Sequence, residues 1–483
     1  MKNMRLSVLA SLIMVLFAVS AQAQQGNVYI HDPSTVIKCD GKYYTFGTGQ
    51  GGLMSEDGWT WTDGAVRTGG GVAPDVIKIG DRYLVAYSAG YPGTEGKVRG
   101  VITTMWTKTL DPSSPDFGYT EPELVAWAGD DEDCWAIDPA FLLDPTTGRL
   151  WCSYGTYFGA IRIVELDPAT GKRVEGNEAV DIAIDCEATA LMYKDGWYYL
   201  LGTHGTCCDG TNSTYNIVCG RSKDVLGPYV DNMGRDMLKG GGKMVLSAGN
   251  RATGPGHFGY IVEDEGLEKM SYHYEADFNL SGRSTLAVRS LIWKNGWPVA
   301  ADPFKDGTYE IESQRRGYSL ELAVDFVRLN GGMRAFGIKA DAPVVVLEDQ
   351  KLEDVIGGWP EGNIDIRLSD YMFRPHQRWT VTAVPDAGGC LGAPYYKIVI
   401  AGTERALAAT ADAELTAVPE YTGAPEQLWQ IEQLIDGTYR ILAVSVPGHE
   451  GEKFALVATA DSNVALGKYD FSSDNSKWDF RDR

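Results

Sequence analysis

Beyond residue 23, the 483-residue sequence has no apolar run long enough to cross a bilayer, so a helical membrane span is not expected. Its eight cysteines, at 39, 134, 152, 186, 207, 208, 219 and 390, include no Cys-x-x-Cys spacing, which argues against a zinc cage. Cys207 and Cys208 are adjacent, an awkward pair to join to each other. Basic residues are short: 43 Lys and Arg stand against 65 Asp and Glu, a formal charge of −22. Such a surface repels polyanions, so no nucleic-acid partner is expected and neutral partners suit it better. Sustained helical periodicity is scarce, and there is neither a basic phosphate cradle nor a nucleophile elbow.

The first stretch has a basic start at Lys2 and Arg5, a short apolar core and the small-x-small site Ala21-Gln22-Ala23. This is the pattern of a cleavable signal peptide over 1–23, with no cysteine after the cut for lipid attachment. A periplasmic or secreted protein is expected, and losing Lys2 and Arg5 would take its charge from −22 to −24. The remainder is too long for one ordinary core, so two domains are expected, and a monomer.

What the sequence does have is short aromatic and β-branched runs between Gly, Asp, Asn and Pro turns, the composition of an all-β protein. Within the first domain, 24–302, one layout recurs: a polar residue, a short strand, a turn, an aromatic strand. HDPSTVIKCDGKYYTFGTG begins at His31, APDVIKIGDRYLVAYSAG at Ala73, IDPAFLLDPTTGRLWCSYGTY at Ile137 and CEATALMYKDGWYYLLGTH at Cys186. A weaker fifth copy, GPGHFGYIVEDEGLEKMSYHYEAD, begins at Gly254. Five such units fit a five-bladed β-propeller, whose inner strands converge at one end of a central axis. The heads of those strands would be Asp32, Asp75, Asp138, Glu187 and His257. An acid that merely opens a turn is the bland alternative, and Asp144 and Asp195 do that between hairpin strands. Acids ahead of the first strand are different, and convergence is expected. Pro33 should hold Asp32 in an extended conformation.

Clustered carboxylates fit glycoside hydrolysis: one protonated acid donates to the leaving oxygen and one ionised acid activates water. A third nearby raises the donor's pKa by like-charge repulsion. Here the chain resembles glycoside hydrolase family 43, in particular its endo-arabinanase-like members. The likeness rests on HDPS at 31–34, on DDEDCWAIDPAFLLDPTTGRLWCSYGTYFG, on CEATALMYKDGWYYLLGTHGTCCDGTNSTYNIVCGRS, and on GPGHFGY with SYHYEADF. The resemblance implies inversion of configuration, with Asp32 as general base, Asp138 as modulator of the acid's pKa and Glu187 as general acid. It also places His257 near a calcium ion held largely through water, an ion that prefers oxygen ligands. Val72 stands where the family usually has an aromatic residue, and Ala188 where a Pro is usual.

For substrate contact, His31 reads as a neighbour that positions backbone or binds a hydroxyl, and Asp75 as a sugar-hydroxyl contact or a structural acid. Among Trp59, Trp61, Tyr91, Trp135, Tyr157 and Phe158, the two rings flanking the modulator segment, Trp135 and Tyr157, are the preferred sugar platforms. His204 and the Cys207-Cys208 loop are candidates to line the cleft.

After Pro303 the pattern changes. QRWTV, QLWQI and SKWDF repeat around Trp379, Trp429 and Trp478, and DGTYEI and DGTYRI open two of the three units. The second domain, 303–483, resembles a ricin-type β-trefoil, with an insertion around 340–370 and a possible carbohydrate-binding role. The expected function is an inverting hydrolase of α-L-arabinofuranosyl linkages in plant cell-wall arabinan, foremost an endo-1,5-α-L-arabinanase. The alternatives are an exo-acting arabinofuranosidase or β-xylosidase, and a non-catalytic sugar-binding propeller.

Overall fold

The computed structural model describes residues 24–482 apart from 50, 90–97, 130–131, 250–251, 279–281 and 325–359. The signal-peptide segment and Tyr91 lie outside the described residues, as does most of the expected trefoil insertion. Five sheets form the propeller; apart from one short N-terminal strand, their strands are antiparallel and run in sequence order within each blade. Their innermost strands are Ile37–Cys39, Val72–Ile79, Ala140–Leu143, Glu187–Lys194 and Ala252–Asp264. Several blade hairpins are tight because the sequence supplies Asp-Gly or Asn-Gly. Asp40-Gly41, Asp195-Gly196 and Asn295-Gly296 all have positive φ at both positions, as a two-residue turn matched to strand twist demands.

The N-terminal segment closes the ring. Gln25–Gly26 pairs in parallel with Thr60–Trp61 at the outer edge of the first blade. Three residues on, the Leu286 amide of the fifth blade donates to Val28 O at 2.8 Å and the Ile30 amide donates to Ser284 O at 3.2 Å. Blades pack through apolar faces that meet between neighbouring sheets, where Trp61 and Trp151 are buried.

The second domain is built around Trp379, Trp429 and Trp478, all three with no exposed surface. Each follows a short 3₁₀ turn, Pro375–Gln377, Pro425–Gln427 or Asp474–Ser476. The indole N–H groups donate to Leu320 O, Leu407 O and Leu456 O at 2.8, 3.1 and 2.9 Å, the same contact in each of three units. Truncating any one to Ala would cost about 3–5 kcal/mol.

The two domains are locked together. Main-chain bonds cross the junction from Trp293 N to Ile435 O (2.7 Å), Ile435 N to Gly266 O (2.9 Å) and Gly392 N to Gly58 O (3.0 Å). Beside them, buried Lys269 on the strand Leu267–Asp277 pairs with buried Glu432 on Trp429–Gln433 at 2.7 Å. Glu432 also takes two bonds from Arg440, which reaches Asp264 at 2.9 Å.

Candidate active site

Each inner strand carries, within it or just ahead of it, one non-glycine residue in the left-handed region: Asp32 (φ 51°), Ala73 (46°), Asp138 (53°), Ala188 (45°) and His257 (63°). This corrects two expectations. Asp32 is not extended: Pro33 fixes its own φ, but Asp32 bends with its short polar side chain, which tolerates this region. Equivalent positions are also not the five polar residues named from sequence, since Glu187 precedes its head by one residue and Asp75 follows its head by two. Ala73 and Ala188 have no polar side chain to ease the bend, so each is held at a cost of roughly 1–2 kcal/mol.

The bends are fixed by hydrogen bonds between blades. The head amide of Ala73 donates to Thr48 Oγ1 (3.1 Å), that of Ala188 to Asp138 Oδ2 (3.1 Å) and that of His257 to Thr203 Oγ1 (2.9 Å). Asp32 donates its amide to His273 Nδ1 at 2.9 Å. In each case the acceptor belongs to the preceding blade around the ring.

Asp32, Asp138, Glu187 and His257 therefore gather at one end of the axis. His257 Nδ1 lies 3.3 Å from Asp32 Oδ1, and His31 Nε2 lies 3.4 Å from the same oxygen. Thr48 Oγ1 donates to Asp32 Oδ2. Burial alone would raise the Asp32 carboxyl, but the hydrogen bond and charge of His257 override it and hold the group well below the usual range. Burial would lower His257, yet Asp32 lifts it to about 9. Glu187 is pushed the other way from Asp32: burial raises it, against bonds donated by the Tyr215 hydroxyl and by Thr156 Oγ1 (2.7 Å). Asp138 is raised well above the usual range by burial, with Glu187 and Asp32 adding to the effect.

Asp75 departs from the sugar-contact expectation. It is buried, and its two oxygens accept the amides of Thr35 (3.2 Å) and Phe141 (3.0 Å), tying the first and third blades across the second. Trp59 and Trp61 are likewise packing residues. Trp135 (42% exposed) and Phe158 (70% exposed) stand open, with ring centroids 6.1 Å apart, and Tyr157 lies 4.3 Å from Phe158. Phe158 is the most exposed ring of this group, beyond the two that the sequence favours. His204 sits on the rim, 3.2 Å from Asp185.

Cys207 and Cys208 form a disulfide, so adjacency did not prevent the join. Cys208 Sγ is 3.9 Å from His31 Nε2, and the Cys207 amide bonds the Tyr157 hydroxyl. This pair lines the cleft. Sequence reasoning missed Tyr215, Thr156, Thr48, His273 and Glu275 as members of the site. Ligand atoms of His31, His273 and Glu275 come within 4.8 Å of one another. His273 Nδ1, however, is already engaged by the Asp32 amide.

The family model for "Glycosyl hydrolases family 43" matches residues 50–298, and that for "Ricin-type beta-trefoil lectin domain-like" matches 375–449. An extracellular exo-α-(1→5)-L-arabinofuranosidase of Cellvibrio japonicus is 31% identical over 60% of this chain and 91% of its own length. An extracellular endo-α-(1→5)-L-arabinanase of Bacillus subtilis is also 31% identical, over 56% of this chain and 88% of its own. Among solved structures, the α-L-arabinanase of Cellvibrio cellulosa complexed with arabinohexaose superposes with a TM-score of 0.52 at 28% identity, covering 57% of this chain and 96% of that one. Five blades, three acids at one mouth and a family match over half its length agree: the chain belongs to glycoside hydrolase family 43.

Proposed function

We propose that this protein hydrolyses α-L-arabinofuranosyl linkages of arabinan with inversion, as an endo-1,5-α-L-arabinanase. The observation that carries the reading is the opposed environment of two carboxyl groups in one buried cluster, Asp32 held ionised and Glu187 pushed toward its protonated form. That is the division of labour an acid–base pair needs. Water attacks the anomeric carbon as Asp32 takes its proton. Glu187 gives a proton to the glycosidic oxygen as that bond breaks, and solvent then restores both groups. Asp138, through the Ala188 amide, fixes the backbone next to Glu187, and the negative charge of Asp32 adds to burial in favouring the protonated form of Glu187. Trp135, Tyr157 and Phe158 offer rings for sugar faces, and His31 a hydroxyl contact.

A calcium ion near His257 belongs to the same proposal. The ionised Asp32 carboxylate lies 3.3 Å from His257 Nδ1, and this hard oxygen donor, with water as the remaining ligands, fits such an ion. It would supply positive charge beside the base, with neutral His257 as its one nitrogen contact. The trefoil would hold the enzyme on its polymer.

Digestion of linear arabinan with product sizing tests the reading: a ladder of oligosaccharides is expected. The exo-acting alternative has equal support from the two relatives at 31% identity, and release of single sugars or one short product from chain ends would favour it. No turnover of any arabinan or aryl arabinoside would overturn the proposal.

A further inference from the structure

We propose that Glu275 and His273 are positioning residues for the hydrolytic base, and that Glu275 couples the base to the disulfide loop of the cleft. The proposal rests on the reading of Asp32 as the base. At the heads of the second and fifth blades the partner of the bent amide is a threonine hydroxyl, and at the fourth it is a carboxylate. At Asp32 the acceptor is an imidazole with a second nitrogen, and His273 has no exposed side-chain surface.

An imidazole that accepts at Nδ1 must carry its proton on Nε2 if it is neutral. That nitrogen lies 3.0 Å from Glu275 Oε1 in a bent contact, and neither buried atom makes a linear hydrogen bond elsewhere. Burial holds His273 below the ordinary histidine range, while Glu275 is held below the carboxylate range against its burial by His273. The pair is thus a neutral ring against an ionised acid, and the carboxylate selects the tautomer that leaves Nδ1 free for the Asp32 amide.

Glu275 has a second tie. Its Oε2 accepts the Cys208 amide at 2.9 Å, next to the disulfide that faces His31. One buried carboxylate therefore sets both the backbone of the base and a wall of the cleft. A carboxamide cannot replace it: with one oxygen and one NH₂, it must turn a donor toward either the ring N–H or the Cys208 N–H.

The test compares kcat and KM on linear arabinan for four variants of the full chain. His273→Leu removes the acceptor and should lower kcat about 100-fold, the scale of a misplaced reacting group, with KM little changed. His273→Asn offers an amide oxygen near the Nδ1 position and should recover at least 10-fold of that loss. Glu275→Gln should lower kcat and also raise KM, because it frees the Cys208 loop; in a His273→Asn background it should affect KM alone. With ¹⁵N-labelled histidine, the Nε2–H tautomer of His273 should be visible in the native protein and lost in Glu275→Gln. Asp32→Asn is measured alongside. If it stays active, the base reading fails. If it is dead while His273→Leu and Glu275→Gln keep native kcat, or if His273 shows the Nδ1–H tautomer, only the positioning proposal is overturned.

Discussion

Replacing Glu432 by Gln should destabilise the whole molecule, not the trefoil alone. Glu432 is buried between Lys269 of the propeller and Arg440 of its own domain, so the variant leaves two cations without their carboxylate. Arg440 keeps Asp264, but Lys269 keeps, among the described residues, only the carbonyl of Leu391 as a hydrogen-bond partner. Breaking a buried pair by removing one partner costs about 3–5 kcal/mol. A second route gives a similar figure. Burial raises the Glu432 carboxyl, yet Lys269 and Arg440 bring it down from 4.5 to about 2, which is worth roughly 3 kcal/mol. The sign is that of a depressed acid: the stabilisation is complete above the unfolded value of 4.5 and is lost as pH falls through about 2. Urea unfolding, followed by tryptophan fluorescence at several pH values, should show a gap between wild type and Glu432→Gln that is full at neutral pH and closes on acidification. The double variant Lys269→Met with Glu432→Leu, which removes charge from both sides, should regain most of the loss. A gap under ~1 kcal/mol at neutral pH, or one that ignores pH, would refute the reasoning.

Glu187→Gln should cut the rate on arabinan by roughly 10²–10⁴ while sparing aryl arabinosides with good leaving groups. The alkaline limb of the native pH–rate profile, set by loss of the Glu187 proton, should vanish in the same variant. Asp32→Asn should abolish hydrolysis and leave oligosaccharide affinity within about threefold, and NMR of the first sugar released by the native enzyme should show inversion. Chelation should lower the thermal midpoint and added calcium restore it. Since Asp32 lifts His257 to about 9 against its burial, calcium uptake near neutral pH should release a proton and weaken as pH falls.

The fold was legible because its signals are local. Asp-Gly and Asn-Gly set the hairpins, and each blade restates the same alternation; three tryptophans at near-equal spacing mark the trefoil core. Asp32, Asp138, Glu187 and His257 were legible because they sit where strands start, out of phase with strand chemistry. His273 and Glu275 were not. They occupy a second strand, and SYHYEAD alternates like any buried strand. Their meaning comes from contact with Asp32 across 241 positions of sequence, which no local pattern encodes. For Asp75 the structural alternative holds and the sugar contact does not: its motif looks like those of Asp32 and Asp138, but a two-residue offset turns its carboxylate to the amides of neighbouring blades. The Asp32 bend was missed because Pro33 restricts its predecessor only as a tendency, which the hydrogen bond to His273 overrides.

Because the described head amides are held by side chains of the preceding blade, no blade carries a finished piece of the site. Asp32 gets its shape from the last blade of the chain, and that blade is itself held by the N-terminal segment beside it. Hydrolysis thus works as a gauge of circular completeness. During synthesis or refolding, a chain with four ordered blades should have Asp138 and Glu187 in place but Asp32 without its His273 and His257 contacts, and should be inert. Activity should appear only with the final joint, in one step with the slowest long-range pairing, and a circular permutant opened between any two blades should be silent until its new ends meet.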